Sequence, residues 1–172
     1  VAAAAATRDR TADGVTRLPI DRAFSMKGFG TIVTGTLVSG RVRTDDELMV
    51  APGERRVTVR GVQVHGTRRE EAVAGQRTAV NLGGAEVEDI ERGQTLVSPG
   101  AFEPTRVADA VVETLASAKP LKHGARIRFH QGTAEILGRV AMIGPPRDAS
   151  GADARLRPRK RGWVPARREE RV

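Results

Sequence analysis

Short runs of β-branched and other apolar residues alternate with turn residues along most of this chain, and helical periodicity is almost absent. The runs that predict strands lie at 31–38, 47–51, 56–64, 77–82 and 94–98, and, after Pro99-Gly100 and Pro104, at 106–115, 125–131 and 133–143. Short strands at such spacing are typical of a β-barrel or a β-sandwich. One stretch, 87–93, predicts a single helical turn.

The same pattern divides the chain into four parts. We expect a linker at 1–17, which ends in the turn signal Asp13-Gly14, then a barrel of six to eight strands at 18–99 and part of a second barrel at 100–144. In 145–172 apolar residues other than alanine are few, so burial cannot offset the entropy lost on ordering. The sequence therefore predicts an all-β fold with a disordered basic tail, although a truncation or a changed reading frame explains the tail equally well.

Composition narrows the class of protein. The chain has no cysteine, which excludes disulfide frameworks, thiol catalysis and zinc ribbons and fits a reducing cytosol. No apolar run approaches the length of a membrane span, so the sequence predicts a soluble protein. The net charge is +8, but residues 144–172 carry +5 of it and residues 18–143 only +2. Any RNA contact in the folded part must therefore come from a local patch.

Motifs for catalysis and for nucleotide binding are missing from the sequence. A phosphate-binding loop needs the pattern G-x-x-x-x-G-K-[ST], and no Gly-Lys pair occurs in this chain. The nearest candidate, residues 27–30 (KGFG), has its lysine on the wrong side and precedes a strand, so it predicts a turn. His65, His123 and His130 are widely spaced without a metal-ligand pattern. We predict neither a catalytic nor a metal site, and no GTP hydrolysis by this chain alone.

Three segments resemble domain II, and part of domain III, of the translational GTPases, and most of all the selenocysteine-specific elongation factors. They are residues 18–40 (LPIDRAFSMKGFGTIVTGTLVSG), 70–84 (EEAVAGQRTAVNLGG) and 120–140 (PLKHGARIRFHQGTAEILGRV). The resemblance implies a small closed β-barrel followed by a partial second barrel. It also implies a cytoplasmic protein that delivers selenocysteyl-tRNA to the ribosome in a GTP-dependent manner.

The same resemblance implies which partners lie outside this chain. GTP and Mg²⁺ would bind a GTPase domain that precedes residue 1, and the selenocysteine-insertion mRNA hairpin would bind a later region. Within this chain the resemblance implies no cofactor, no metal and no membrane contact. The expected direct partners are selenocysteyl-tRNA and the ribosome.

The resemblance assigns an aminoacyl pocket to Asp21, Arg22 and Arg77, which stand in the motifs LPIDR and AGQR. A selenol ionises far more readily than a serine hydroxyl, so the cognate side chain is an anion at neutral pH. Two guanidinium groups suit an anion, and Asp21 would hold one of them in place. A serine ester would leave the arginines poorly compensated. The alternative is an Asp-Arg pair that only closes a barrel seam, with Arg77 at the surface.

A second set of candidate residues follows the turn before the strand at 125–131. Alternation along that strand places Arg126, Arg128 and His130 on one face, and Lys122 precedes them. The resemblance implies that this face contacts the acceptor and T stems of the tRNA through phosphates and sugars. The alternative is a solvated strand face without a ligand.

Two aromatic residues and two other classes of function complete the hypotheses. Phe24 and Phe29, beside Arg22, are candidates to stack on the terminal adenosine of the tRNA, with core burial as the alternative for at least one. The chain could instead belong to a general elongation or initiation factor. It could also be a β-barrel module that binds RNA or protein without an aminoacyl pocket. A preference for the esterified amino acid distinguishes these hypotheses.

Overall fold

The computed structural model describes residues 12–112, 115, 117–119, 121–143, 152–158 and 164–167. The chain divides into two compact units between Phe102 and Glu103, and Arg167 groups with the first unit. Among the described residues the only helical element is one 3-10 turn at Val87–Asp89, inside the stretch predicted as a helical turn. The prediction of an all-β fold is confirmed.

The first unit is a closed β-barrel. Its strands are β1 Arg17–Met26, β2 Gly30–Thr36, β3 Arg41–Arg43, β4 Glu47–Ala51, β5 Arg55–Val64, β6 Thr67–Arg69, β7 Glu71–Val73, β8 Arg77–Gly83 and β9 Thr95–Val97. Neighbouring strands follow the order β4-β9-β1-β2-β8-β5, and pairing of β4 with β5 closes the ring. Strand β6 extends the sheet from β5, and β3 and β7 form a separate two-stranded ribbon.

The core of the barrel comes from alternating apolar side chains. On β8, Thr78, Val80 and Leu82 point inward, between outward positions that are half-buried or exposed. The barrel core consists of Leu18, Ile20, Val33, Leu37, Val42, Leu48, Val50, Val57, Val59, Val62, Val64, Ala72, Val80, Leu82, Ile90 and Leu96. Because these side chains are mostly β-branched, they favour strands and fill the small interior.

The described end of the predicted linker packs on this barrel. The Thr16 hydroxyl donates to the Arg41 carbonyl at 2.6 Å, and the Ser39 hydroxyl donates to the Val15 carbonyl at 2.7 Å. Asp13 forms an ion pair with Arg41 at 3.0 Å. These bonds fix the entry of the chain into β1. The rest of the predicted linker, residues 1–11, lies outside the described residues.

The second unit is built on an antiparallel sheet. Its strands are β10 Phe102–Thr105, β11 Ala108–Val112, β12 Arg126–Gln131, β13 Ala134–Met142, β14 Ala152–Pro158 and β15 Val164–Arg167, although the end residues Phe102 and Arg167 group with the first unit. Four of them form a sheet in the order β11-β14-β13-β12, and β10 pairs with β15. Val140 is the buried centre of this sheet, with half-buried apolar side chains such as Ile127 and Phe129 packed around it.

The prediction of a disordered tail does not agree with β14 and β15. Residues 152–158 pair with β11 on one side and with β13 on the other, so Leu156 lies opposite both Ala108 and Val140. Composition predicts how much apolar surface a segment can bury, but it does not count main-chain hydrogen bonds to two neighbouring strands. The other residues of the predicted tail lie outside the described part of the chain.

Candidate functional site

A β-bulge brings Asp21 and Arg22 to the same side of the barrel. Strands β1 and β2 pair with Ile20 opposite Gly35 and Arg22 opposite Thr34, which leaves Asp21 as an extra residue. Consecutive residues of a regular strand point to opposite faces, and a bulge interrupts that alternation. Gly35 permits the close approach, because a Cβ atom there would lie 2.2 Å from the Pro19 carbonyl oxygen.

The Asp21 carboxylate is held by two partners on the outer surface. Arg77, at the start of β8, donates from Nη1 to Oδ2 and from Nη2 to Oδ1, the second bond at 3.1 Å. The Thr34 hydroxyl donates to Oδ1 at 2.6 Å. The Asp21 side chain is only 20% exposed, whereas Arg77 is 50% exposed. The arginine is therefore fixed at one edge of its fork and open to solvent elsewhere.

The electrostatics of this pair favour the ionised carboxylate. Partial burial acts to raise the pKa of Asp21, but the hydrogen bonds from Arg77 and Thr34 and the positive charges of Arg77 and Arg22 together outweigh it. The pKa of Asp21 therefore lies below its ordinary value. At neutral pH one negative and two positive groups share this patch, which leaves an excess positive charge.

Arg22 supplies that excess charge. Its side chain is exposed, and within the described residues it makes no ion pair or hydrogen bond. Asp21 engages Arg77 instead, although the two candidate arginines flank the same carboxylate. The structure thus brings together all three residues that the sequence assigned to a pocket. It adds Thr34, which the sequence analysis missed.

The outer face of β8 links this ion pair to a second feature. Arg77, Ala79 and Asn81 alternate with the buried side chains of β8, so all three face outward. A step of four residues along a strand separates Arg77 from Asn81 by about 13 Å. On the neighbouring strands, Ile32 and Gly61 lie opposite Asn81. The barrel thus presents the ion pair and the surroundings of Asn81 along one strand.

A shallow cleft, open to solvent, lies beside Asn81. Its floor is formed by small and apolar residues, among them Gly61, Ala79 and Ile32, and Phe29 stands at its side with 53% of its surface exposed. The amide oxygen of Asn81 is buried and has no hydrogen-bond partner among the described residues. A planar ligand that donates a hydrogen bond would satisfy this oxygen and cover the aromatic ring.

The two phenylalanines named as stacking candidates both lie on the surface. Phe24 is 37% exposed on β1, opposite Ile32, and Phe29 lies in the turn between β1 and β2. Neither belongs to the barrel core, so the alternative of core burial is wrong for both. Only Phe29 lines the cleft.

The predicted alternation of β12 is confirmed. Arg126, Arg128 and His130 are exposed, whereas the residues between them are half-buried. Arg128 is engaged by Glu135 at 3.1 Å, which reduces its free charge. Lys122 is exposed and lies before β12, not on the strand itself. The structure brings three of the four candidates onto one strand face.

The register of the second sheet adds to this face. Arg126 pairs with Arg139 on β13, and Arg139 pairs in turn with Arg157 on β14. Three arginine positions therefore lie side by side on neighbouring strands. Composition predicts that residue 157 belongs to a disordered tail, so the sequence does not indicate its place in this row.

Neither a metal-binding cluster nor a long apolar helix occurs in the described part of the chain. It contains no group of three or more histidine, cysteine or acidic residues close enough to hold a metal ion. No helix of the described residues is both long and apolar enough to cross a membrane.

Comparison with known proteins adds the family context. The family profile for elongation factor Tu domain 2 matches residues 30–97. A selenocysteine-specific elongation factor from Desulfomicrobium baculatum is 49% identical over 136 residues, which are 78% of this chain and 21% of that protein. The protein of that name from Escherichia coli K12 is 40% identical over 129 residues, 74% of this chain and 20% of its own length.

A solved structure extends the similarity to the fold. The crystal structure of a bacterial selenocysteine-specific elongation factor, EF-Sec, matches with a TM-score of 0.76 and 27% identity, over 89% of this chain and 24% of that chain. The chain spans about a fifth of the length of the curated relatives that it matches.

Proposed function

We propose that this chain, as a homologue of the selenocysteine-specific elongation factors, binds the aminoacyl end of selenocysteyl-tRNA. Its barrel is of the elongation factor Tu domain 2 type. In this proposal the chain is the tRNA-binding part of a factor that delivers that tRNA to the ribosome. GTP binding and hydrolysis, with Mg²⁺, would belong to other parts of such a factor, and no step of hydrolysis is assigned to this chain.

The observation that carries the proposal is the unequal state of the two arginines. Asp21 holds Arg77 through both carboxylate oxygens, and the guanidinium of Arg22 beside them has no partner in the described part of the chain. A selenolate side chain would be attracted to Arg22 and to the free edge of Arg77. A serine hydroxyl carries no charge, so it would gain much less from the same groups.

The cleft near Asn81 supports the second part of the proposal, that the terminal adenosine lies there. The cleft begins at Ala79, two residues along β8 from Arg77, and extends to Asn81, about 13 Å from Arg77, so the two sites are close enough for one aminoacylated nucleotide to reach both. An Asn amide can make paired hydrogen bonds with adenine, and aromatic rings stack on unpaired bases. The unsatisfied oxygen of Asn81 and the exposed ring of Phe29 provide these groups.

In the second unit, the basic face of β12 and β13 is proposed to contact the tRNA stem. Arg126, Arg139 and the exposed His130 provide donors without an acidic partner within the described residues, and stem recognition through phosphates needs no sequence readout. Such contacts would add affinity for any tRNA. The discrimination for selenocysteine would come from the barrel.

The experiment that tests the proposal is the Arg77→Ala variant of the full-length factor that contains this chain. We expect affinity for selenocysteyl-tRNA to fall about tenfold or more, because a charged partner is lost, while affinity for seryl-tRNA changes little. Arg43→Ala is the matched control, because Arg43 also forms an ion pair, with Glu71 at 2.8 Å, but on the ribbon of β3 and β7. Equal losses for both aminoacyl-tRNAs would refute the pocket.

A further inference from the structure

A second β-bulge lies at the rim of the cleft. Strands β5 and β8 pair with Val59 opposite Leu82 and Gly61 opposite Asn81, which leaves Arg60 without a partner on β8. As at Asp21, the bulge interrupts the alternation of the strand, and Arg60 and Gly61 both lie outside the core. The barrel therefore places a second charged residue by the same device, this time at the cleft.

The Arg60 guanidinium lies over Gly83 of β8. A Cβ atom at Gly83 would lie 2.6 Å from Nε of Arg60 and 3.1 Å from its Cζ, so any larger residue at position 83 would displace the side chain. Arg60 is exposed to solvent and lines the cleft.

Arg68 lines the same cleft from β6. It lies opposite Gln63, which is itself opposite Ala79 in the floor. Within the described residues, neither Arg60 nor Arg68 makes an ion pair, whereas Arg55 on the same strand pairs with Asp89 at 3.0 Å. Two unneutralised cations on one cleft repel each other, and an anionic ligand between them would relieve that repulsion.

We propose that Arg60 and Arg68 form a phosphate-binding site at the rim of the cleft, which holds the phosphodiester linkage next to the nucleotide whose base occupies the cleft. Guanidinium groups bind phosphate oxygens through paired, charge-assisted hydrogen bonds. A single-stranded RNA end carries such a phosphate at a fixed distance from its last base. The inference rests on the proposed function, because it takes the occupant of the cleft to be the terminal nucleotide of an RNA.

The test compares two ligands that differ by one phosphate and one nucleoside. The 172-residue chain is titrated with adenosine and with the dinucleotide cytidylyl-(3′→5′)-adenosine, and binding is followed by the amide resonances of Gly61 and Asn81 and by the Nε–H resonance of Arg60. We expect the dinucleotide to bind about tenfold more tightly than adenosine, with an affinity that decreases as salt is added. Arg60→Ala should lower the affinity for the dinucleotide to that for adenosine and leave adenosine binding unchanged.

Three controls make the result specific. Arg56→Ala removes the same charge from β5 at a position that does not line the cleft, and it should leave both affinities unchanged. Arg60→Lys keeps the charge but loses the fork, so it should recover only part of the affinity. A dinucleotide with an uncharged methylphosphonate linkage should bind no better than adenosine.

The possible failures are distinguishable. If adenosine binds but the phosphate adds no affinity, or if Arg56→Ala weakens the dinucleotide as much as Arg60→Ala does, the phosphate site is wrong and the base site stands. If neither ligand shifts the resonances around Asn81, the cleft is not a nucleotide site and this inference fails with it. The assignment of the aminoacyl pocket would still depend on the Arg77→Ala result.

Discussion

Two arginine–carboxylate pairs, one in each unit, join side chains of different strands but hold their carboxylates very differently. In the barrel, Asp21 is 20% exposed and accepts hydrogen bonds from both Nη atoms of Arg77 and from the Thr34 hydroxyl. In the second unit, Glu135 is 49% exposed, and its Oε1 lies 3.1 Å from Nη1 of Arg128. The first carboxylate is fixed by its surroundings and the second is largely solvated.

The difference shows what turns a common surface ion pair into a candidate site. Exposed pairs contribute about 0–1 kcal/mol to stability, because solvent screens them and the side chains lose entropy. The bulge at Asp21 recesses its carboxylate beside a hydroxyl donor, so the geometry of Arg77 is defined and Arg22 remains unpaired. In the second unit the ion pair reduces the charge available for a ligand instead of organising it.

The largest loss of stability is expected for Asp21→Asn. It removes the ionised acceptor of Arg77 and Thr34 and leaves two arginines close together, so we expect a loss of about 1–2 kcal/mol in the free energy of unfolding of the barrel. The loss is limited because Arg77 is half exposed and solvent screens the pair. Urea unfolding followed by the amide resonances of β2 would measure it. A loss below about 0.3 kcal/mol would mean that Asp21 is as weakly coupled as an ordinary surface carboxylate.

A smaller effect is expected for Thr34→Val, which removes one hydrogen bond to Asp21 and keeps the shape of the side chain. We expect a loss of about 1 kcal/mol in stability at neutral pH and a higher pKa for Asp21. A folded-state pKa below the ordinary value gives stability that is present above about pH 4 and is lost as pH falls through the folded pKa. The difference in the free energy of unfolding between Thr34→Val and the parent chain should therefore become small at low pH, where Asp21 is protonated in both.

The measurement is a ¹³C titration of the Asp21 carboxyl in the parent chain and in the variant. Thr34→Ser keeps the hydroxyl and should keep the low pKa. Thr36→Val changes a nearby threonine of β2 that makes no hydrogen bond to Asp21 within the described residues, so it should also leave the pKa unchanged. An unchanged midpoint in Thr34→Val would assign the low pKa to the two arginines, Arg77 and Arg22, without a contribution from the Thr34 hydroxyl.

The smallest effect belongs to Glu135→Gln in the second unit. Because its ion pair with Arg128 is solvated, we expect a change in stability below about 0.5 kcal/mol. Freeing Arg128 should at the same time strengthen salt-dependent binding of a tRNA-stem duplex slightly, measured as a steeper decrease of affinity with salt. A loss of RNA affinity would show that Glu135 positions Arg128 for the ligand instead of neutralising it.

Much of the fold followed from the pattern of apolar residues, because alternation reports which side chain faces the core. It predicted β4 at 47–51 and placed β5, β8, β12 and β13 within one or two residues. The short strands β3, β6 and β7 were missed, since three residues are too few to show a period. Strand β14 was missed because its pairing with β11 and β13 depends on distant main-chain partners.

The site was predicted only as far as motifs reach. Asp21, Arg22 and Arg77 stand in recognisable motifs. Thr34 lies opposite the bulge at Asp21, and Arg60 is the extra residue of the second bulge, and no motif marks either of them. One signal was available in the sequence: the apolar positions of β5 advance from 57 to 59 and then to 62, and a step of three inside a strand indicates a bulge. No comparable step marks the bulge at Asp21, where the strand begins with three consecutive buried residues.

The position of β14 between β11 and β13 has a consequence for the order of folding during synthesis. The hairpin of β12 and β13 joins residues that are close in sequence, so it can form as soon as both have left the ribosome. Strand β11 can pair with β14 only after about forty more residues have been synthesised, and until then both of its edges are unpaired. The segment synthesised just before β11 is the barrel. A ribosome that pauses before residue 152 would therefore leave β11 unpaired, and a chaperone or a protease could bind it.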